Sequence, residues 1–371
     1  MLKTFRYRIY PTKRQERLLS EALEECRWLY NHLLEQRRKL YEQTGQGISC
    51  FDQIKQLPIL KRERPSLEHV NAQVLQQVVV RLDLAFQAFF RRVKAGEKPG
   101  YPRFKGQGRY KSLTYPQVPK GCTIRDGKLV LSKIGHIKIV LHRPLRGKLK
   151  TCTVFRSATG KWYASFSCEC EPKRLPPHPH AVGIDLGLKH FAALSDGKTI
   201  ETPAFFRREE KALAKAQRRL SRLGKDDPER PRRKKIVARI HERIRFRRDN
   251  FTHQQSRRIV DRYGFICVED LVVSRMVHHP HLAKSIQDAA WSEFLAKLSS
   301  KAEEAGRQLV KVNPAYTSQT CSACGHRQAM PLEERVFACP CCGIVLDRDV
   351  NAARNILALG RQGWEPEKPT A

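Results

Sequence analysis

At 371 residues the chain is long enough for two or three domains, and 71 Lys plus Arg against 37 Asp plus Glu leave a net charge of +34. That excess excludes an ordinary solvated surface and points to a polyanionic partner, nucleic acid ahead of a membrane surface. No apolar run approaches the roughly 20 residues that span a bilayer, and the N-terminus has no signal-peptide core. A cytoplasmic protein is therefore expected, with its 12 cysteines reduced or metal-bound.

Near the start, Phe5, Tyr7 and Ile9 alternate with Thr4, Arg6 and Arg8, the period of a half-buried strand. Thr12 with Gln15 three residues on reads as a capping box. The helix it opens continues through Leu19, Leu23, Cys26, Tyr30 and Leu33. Residues 41–65 form a connector with Gly45 and Gly47 and room for a short helix. A second helix is predicted over about 67–94, with Val70, Val74, Leu75, Val78, Val79, Leu82, Phe86, Phe89, Phe90 and Val93 on its apolar face. Residues 96–111 are a Gly-, Lys- and Arg-rich loop carrying Tyr101, Arg103, Phe104 and Tyr110. Positive charge interleaved with stacking rings suits a nucleic-acid backbone, although a plain solvated loop has a similar composition.

From residue 112 to 170 the period changes to two. Residues 122–131 are a hairpin with an Asp-Gly turn, and 137–141, 150–156 and 162–170 are further strands. With the N-terminal strand they predict a small β-barrel, residues 1–10 and 111–171, interrupted by a helical insertion over 11–110. Prolines then mark a linker at 172–180. The second domain follows over 181–318 and 345–371, with a very basic helical hairpin at 207–261. The run Arg232-Arg233-Lys234-Lys235 in that hairpin should repel itself unless a polyanion lies alongside. His278, His279 and His281 sit near a proline in a loop and are read as an ordinary loop cluster.

Three carboxylates stand in matching contexts. Val182-Gly183-Ile184-Asp185-Leu186-Gly187 is an apolar strand running into one carboxylate and a glycine, and Glu269 ends the strand at 265–268. Asp347 opens a helix that begins Asp347-Arg348-Asp349-Val350-Asn351. Carboxylates from two strands and one helix can converge on a pair of divalent cations, which stabilise the attacking and leaving oxygens of an in-line phosphoryl displacement. Asp349 is expected to point elsewhere on the helix.

Cys321-x-x-Cys324 and Cys339-x-x-Cys342 each end in glycine, the spacing of a four-thiolate structural zinc ribbon over 319–344. Cys341 is spare, and Cys168 with Cys170 reads as core.

Together these pieces resemble TnpB, the transposon-encoded RNA-guided nuclease family related to type V CRISPR effectors. The matching residues are Gly183-Ile184-Asp185-Leu186-Gly187, Val268-Glu269-Asp270-Leu271, the two cysteine pairs and Asp347-Arg348-Asp349-Val350-Asn351-Ala352-Ala353. Tyr30-Asn31, the stretch 84–90 and Gly100-Tyr101-Pro102-Arg103-Phe104 match upstream. The resemblance implies a RuvC-like, RNase H-type mixed-sheet domain in which Asp185, Glu269 and Asp347 bind two Mg²⁺. It also implies a wedge-like barrel and a helical recognition insert that hold a transposon-end-derived guide RNA and its heteroduplex with target double-stranded DNA. A helical glutamine at the position of Gln76 contacts a short flanking motif in the family. A lysine that some members carry one turn earlier is Ala72 here. A monomer with its RNA is expected. Other readings are a guide-independent RuvC-like resolvase, a nuclease-dead repressor and a zinc-ribbon transposon regulator. The resolvase needs no large basic insert, the repressor needs no intact carboxylates, and the regulator needs no carboxylates at all.

Overall fold

In the computed structural model, which describes residues 1–278, 282–331 and 333–362, the chain divides into two units, Met1–Glu171 and Pro172–Ala371.

The first unit opens with β1 (Leu2–Tyr10), whose Phe5, Tyr7 and Ile9 are buried as their alternation requires. Thr12 and Gln15 make the reciprocal capping box that starts α1 (Lys13–Thr44). The connector holds two short helices, α2 (Cys50–Lys55) and α3 (Leu57–Glu63), and a 3₁₀ turn at Pro65–His69. The next helix, α4 (Ala72–Lys94), begins later than its apolar pattern predicts. The Asn71 side chain accepts from the Gln73 and Val74 N–H groups and caps it there, while Leu67 and Val70 reach the core from the preceding turn. The last turns of α4 also depart from expectation, for Phe90 and Val93 are about half exposed.

Six strands follow: β2 (Ser112–Tyr115), β3 (Cys122–Arg125), β4 (Lys128–Leu131), β5 (Gly135–Val140), β6 (Lys148–Arg156) and β7 (Trp162–Glu169). With β1 they form one antiparallel sheet in the order β2-β6-β7-β1-β5-β4-β3. The sheet curls into a nearly closed barrel. Cys122 on one edge strand and Cys152, next to the other edge, come within hydrogen-bonding reach of each other. Sheet and helices share one hydrophobic core, in which Leu75, Val79 and Leu82 of α4 join Leu113, Val154 and Phe166 of the sheet. The insertion is therefore not a separately packed body, because its apolar face has no other surface to bury against.

In the second unit, residues 172–180 have no regular structure but are tied down: Leu175 N–H donates to Ala305 O, and Arg307 donates to Pro176 O and Val260 O. The elements are β8 (Ala181–Asp185), β9 (His190–Leu194), β10 (Thr199–Glu201), α5 (Phe205–Ser221), α6 (Arg230–Arg262), β11 (Phe265–Glu269), α7 (Val273–Met276), α8 (Ala283–Ala289), α9 (Trp291–Ala305) and β12 (Gln308–Val312). Inside the cysteine region lies β13 (Val336–Ala338), which pairs with β14 (Val345–Asp347) just beyond it, and α10 (Arg348–Arg361) follows.

The main sheet runs β10-β9-β8-β11-β12, with β8, β11 and β12 parallel and β9 antiparallel to both its neighbours. This is the mixed RNase H-like sheet. On one face Val182, Ile184, Ile266 and Val268 pack with Ile259 and Val260 of α6 and Phe294 and Leu298 of α9. The other face carries α10, whose Ile356 and Leu357 meet Phe265, Cys267 and Val312.

Candidate nuclease centre and zinc site

Asp185 and Glu269 end adjacent parallel strands. Val268 is in register with Ile184, so the two carboxylates leave the sheet side by side at its C-terminal edge. In open α/β sheets that edge is where ligands bind. Glu269 is buried, and its Oε1 accepts from the Thr317 hydroxyl at 2.8 Å. Burial raises the Glu269 carboxyl against the opposing effect of that hydrogen bond. Asp185 is pushed well above the usual carboxylate range, first by burial, then by the like charges of Glu269 and Asp349, while Arg348 opposes the shift and Asp347 adds to it.

The third carboxylate is brought in by α10, and two glycines allow the approach. A Cβ at Gly183 would lie 2.0 Å from the Ala353 carbonyl oxygen, and one at Gly360 would lie 2.2 Å from Cys267 Sγ. Only a bare backbone lets helix and sheet meet that closely. Asp347 is the N-cap of α10: its Oδ1 accepts from Asp349 N–H at 2.9 Å and Val350 N–H at 3.2 Å. Asp349 does not face away as expected. Its Oδ2 lies 3.9 Å from where a Cβ would stand on Gly187, and its charge acts on Asp185 more strongly than that of Asp347.

Several residues that support this centre had no sequence signal of their own. Thr317 orients Glu269. Asn355 Nδ2 donates to Thr317 O and Thr320 O, and Asn351 is bonded to Thr320 O and Ser322 N–H. Asn351 lies in the matched stretch at the start of α10 and Asn355 one turn beyond it, but their role depends on tertiary contact. They fasten the start of the cysteine region to the helix that carries Asp349.

The four predicted cysteines converge. The Sγ atoms of Cys321, Cys324, Cys339 and Cys342 all lie within 4.8 Å of one another. Cys321 to Cys342 and Cys324 to Cys339 are each 3.6 Å apart. A tetrahedral zinc with Zn–S bonds of about 2.3 Å needs sulfur–sulfur edges of about 3.8 Å, so the donor set fits the ion. Gly325 and Gly343 both have positive φ, and each donates back to the first cysteine of its pair, which closes the two knuckles. Cys341 is exposed and outside the cluster.

The predicted nucleic-acid contacts lie apart from one another in the chain. Gln76 is exposed on α4, and Tyr101, Arg103 and Phe104 are exposed on their loop. Asn31 clamps that loop to α1, its side chain donating to Lys105 O and accepting from Lys105 N–H. This accounts for the Tyr30-Asn31 signature. Tyr110 is a correction: it is buried in the core with the Arg81 guanidinium over its ring, and it is not free to stack on a base. In the hairpin, Arg233 pairs with Glu229, while Arg243 and Arg247 share Glu209. Arg232, Lys234 and Lys235 are exposed with no carboxylate partner among the described residues. His279 and His281 lie outside the described residues.

Three family models match the chain: "Helix-turn-helix domain" over residues 1–46, "Probable transposase" over 165–279 and "Cas12f1-like, TNB domain" over 291–356. The first matches a stretch that folds here as one strand and a single long helix. A Streptomyces pristinaespiralis protein is 37% identical over 366 residues, covering 96% of this chain and 89% of its own length. An Escherichia coli K12 protein, InsQ, is 33% identical over 379 residues, covering 97% and 92%. Both carry the name "Putative RNA-guided DNA endonuclease". The chain belongs to the TnpB family. Among solved structures, the mini-RNA-guided endonuclease CRISPR-Cas phi3 aligns with this TnpB-family chain at a TM-score of 0.49 and 11% identity, covering 100% of this chain and 94% of its own. No helix among the described residues is long and apolar enough to cross a membrane.

Proposed function

We propose that this chain is an RNA-guided, metal-dependent endonuclease that cuts DNA beside a short flanking motif, using a guide RNA derived from the end of its transposon. The observation that carries the reading is the convergence of Asp185, Glu269 and Asp349 at the C-terminal edge of an RNase H-like sheet. Like charges gathered around the buried Glu269 repel one another and suit divalent cations, and Mg²⁺ prefers carboxylate oxygens. When bound, a Mg²⁺ pair supplies charge stabilisation for the attacking and leaving oxygens of phosphodiester hydrolysis. The chain's own groups hold that arrangement. Thr317 fixes one Glu269 oxygen, Asp347 caps the helix, and Asp349 projects from its first turn. We assign the third ligand to Asp349 and a capping role to Asp347.

Four thiolates at Cys321, Cys324, Cys339 and Cys342 would hold one structural Zn²⁺. Asn351 and Asn355 join that ribbon to the carboxylate-bearing helix. Guide RNA and target DNA would lie along polar, basic and aromatic groups: Gln76 at the flanking motif, Tyr101, Arg103 and Phe104, and in the hairpin the exposed Arg232, Lys234 and Lys235 with the half-buried Arg233.

The test compares Asp185→Asn, Asp349→Asn and Asp347→Asn, each assembled with guide RNA and matched DNA, with binding and cutting measured separately. Asparagine caps a helix about as well as aspartate, so Asp347→Asn should keep cutting. Asp185→Asn and Asp349→Asn should bind and not cut. An active Asp349→Asn beside a dead Asp347→Asn would return the ligand role to Asp347. Guide-independent cutting would favour the resolvase reading instead.

A further inference from the structure

We propose that Tyr316 and Arg327 form a stacking platform for a base of the single DNA strand being cut, next to the Glu269 carboxylate. This rests on the nuclease reading above and adds to it a group that grips the substrate.

The loop after β12 leaves the same end of the parallel strands as Asp185 and Glu269. Tyr316 on that loop has φ of +65°, in the left-handed region that glycine enters freely and other residues enter at a cost. The turn has a local purpose. The Tyr316 carbonyl accepts from Gln319 N–H, Thr320 N–H and the Thr320 hydroxyl, and the next residue, Thr317, holds Glu269. Glycine would serve that turn better. The backbone therefore explains the φ angle but not why an aromatic ring stands there.

Tyr316 as a whole is 52% exposed, so a large aromatic side chain stands partly in solvent. Arg327, from the cysteine ribbon, places its guanidinium carbon 3.1 Å from the ring centroid. Arg327 is itself exposed, with no carboxylate partner among the described residues, and its backbone bridges to Thr320. With the guanidinium over one face of a half-exposed tyrosine, the pair combines the two features single-stranded nucleic acid requires: a planar stacking surface for a base and a positive charge for its phosphate. Thr317 links this pair to Glu269 within one residue, so a base held here would bring its own backbone toward the carboxylates. The competing explanation is a strut that only braces the ribbon against the loop.

The experiment uses the full chain, zinc-loaded, and a single-stranded oligodeoxynucleotide carrying 2-aminopurine, whose fluorescence falls when it stacks. Wild type and Tyr316→Phe should quench the probe. Tyr316→Leu and Arg327→Ala should lose the quench and bind roughly 10-fold or more weakly, since one stacked base accounts for an effect of that size. In guide-directed cutting the same variants should raise KM for DNA, with zinc content and thermal midpoint unchanged. An abasic nucleotide at the quenched position should make wild type and Tyr316→Leu equal.

If Tyr316→Leu keeps the quench and the affinity, the platform is overturned. It is equally overturned if binding falls only together with zinc content or thermal stability, because the pair is then a strut. If wild type quenches the probe but cuts nothing with guide RNA and Mg²⁺, the platform stands and the nuclease reading falls.

Discussion

Replacing Gly183 by alanine tests how the carboxylates are brought together. The added methyl would sit 2.0 Å from the Ala353 carbonyl oxygen and 2.7 Å from the Leu357 amide nitrogen, both helix backbone that cannot rotate away. Ordinary contact begins at 3.4 Å, so α10 must retreat from β8 by about 1.4 Å, or β8 must bend by as much. Overpacking of this kind costs about 1–3 kcal/mol. For a unit of this size, each kcal/mol lowers the thermal midpoint by about 2–4 °C, so a drop of roughly 2–12 °C is expected. The catalytic consequence is larger. Asp349 rides on the displaced helix while Asp185 and Glu269 stay on the sheet, and a misplacement of about 1 Å costs on the order of 100-fold in rate. The assay is single-turnover cutting of matched DNA at saturating guide complex, beside a binding measurement and a thermal melt. Binding should be kept. Wild-type cutting with a lowered midpoint would show that the helix can shift without moving a catalytic group, which refutes the assignment of Asp349. A wild-type midpoint would refute the close packing itself.

Purified protein should contain about one zinc per chain, and removing it with a chelator should lower the thermal midpoint and abolish cutting; protein that cuts normally without zinc would show that the ribbon does not support α10. Neutralising Arg232, Lys234 and Lys235 together should make the salt dependence of nucleic-acid binding shallower by about 2 to 3 in log–log slope if each meets a phosphate, and an unchanged slope would make them a solvated face. Burial, with the like charges of Arg257 and Lys297, lowers the Lys301 ammonium to about 8. Unfolded lysine titrates near 10.4, so the unfolded chain binds the extra proton between these values and stability should rise with pH from about 8 to 10. Lys301→Gln should flatten that part of the profile relative to wild type, and an identical profile would show that Lys301 is not perturbed.

Much of this protein is written in local pattern. The period-two alternation of Phe5, Tyr7 and Ile9, the Thr12–Gln15 cap and the cysteine spacing each follow from chemistry within a few residues, and each appears in the structure. Asp185 and Glu269 were legible for the same reason, since an apolar run ending in a carboxylate marks the end of a buried strand. What tertiary structure alone decided is which groups face one another. Asp347 and Asp349 stand two residues apart, and a sequence reading has no means of telling the cap from the group that faces Asp185. The choice is made by how deeply α10 settles on β8 and β11 at Gly183 and Gly360. Tyr110 has the composition of a nucleic-acid loop, but it is drawn into the core, whereas Phe90 and Val93 continue an apolar stripe past the point where there is core to meet it. Thr317, Asn31 and Asn355 act through partners 48, 74 and 38 residues away. Local propensity sets the elements because its causes are near in sequence. The site depends on distant segments packing together, and that packing is decided by the whole chain.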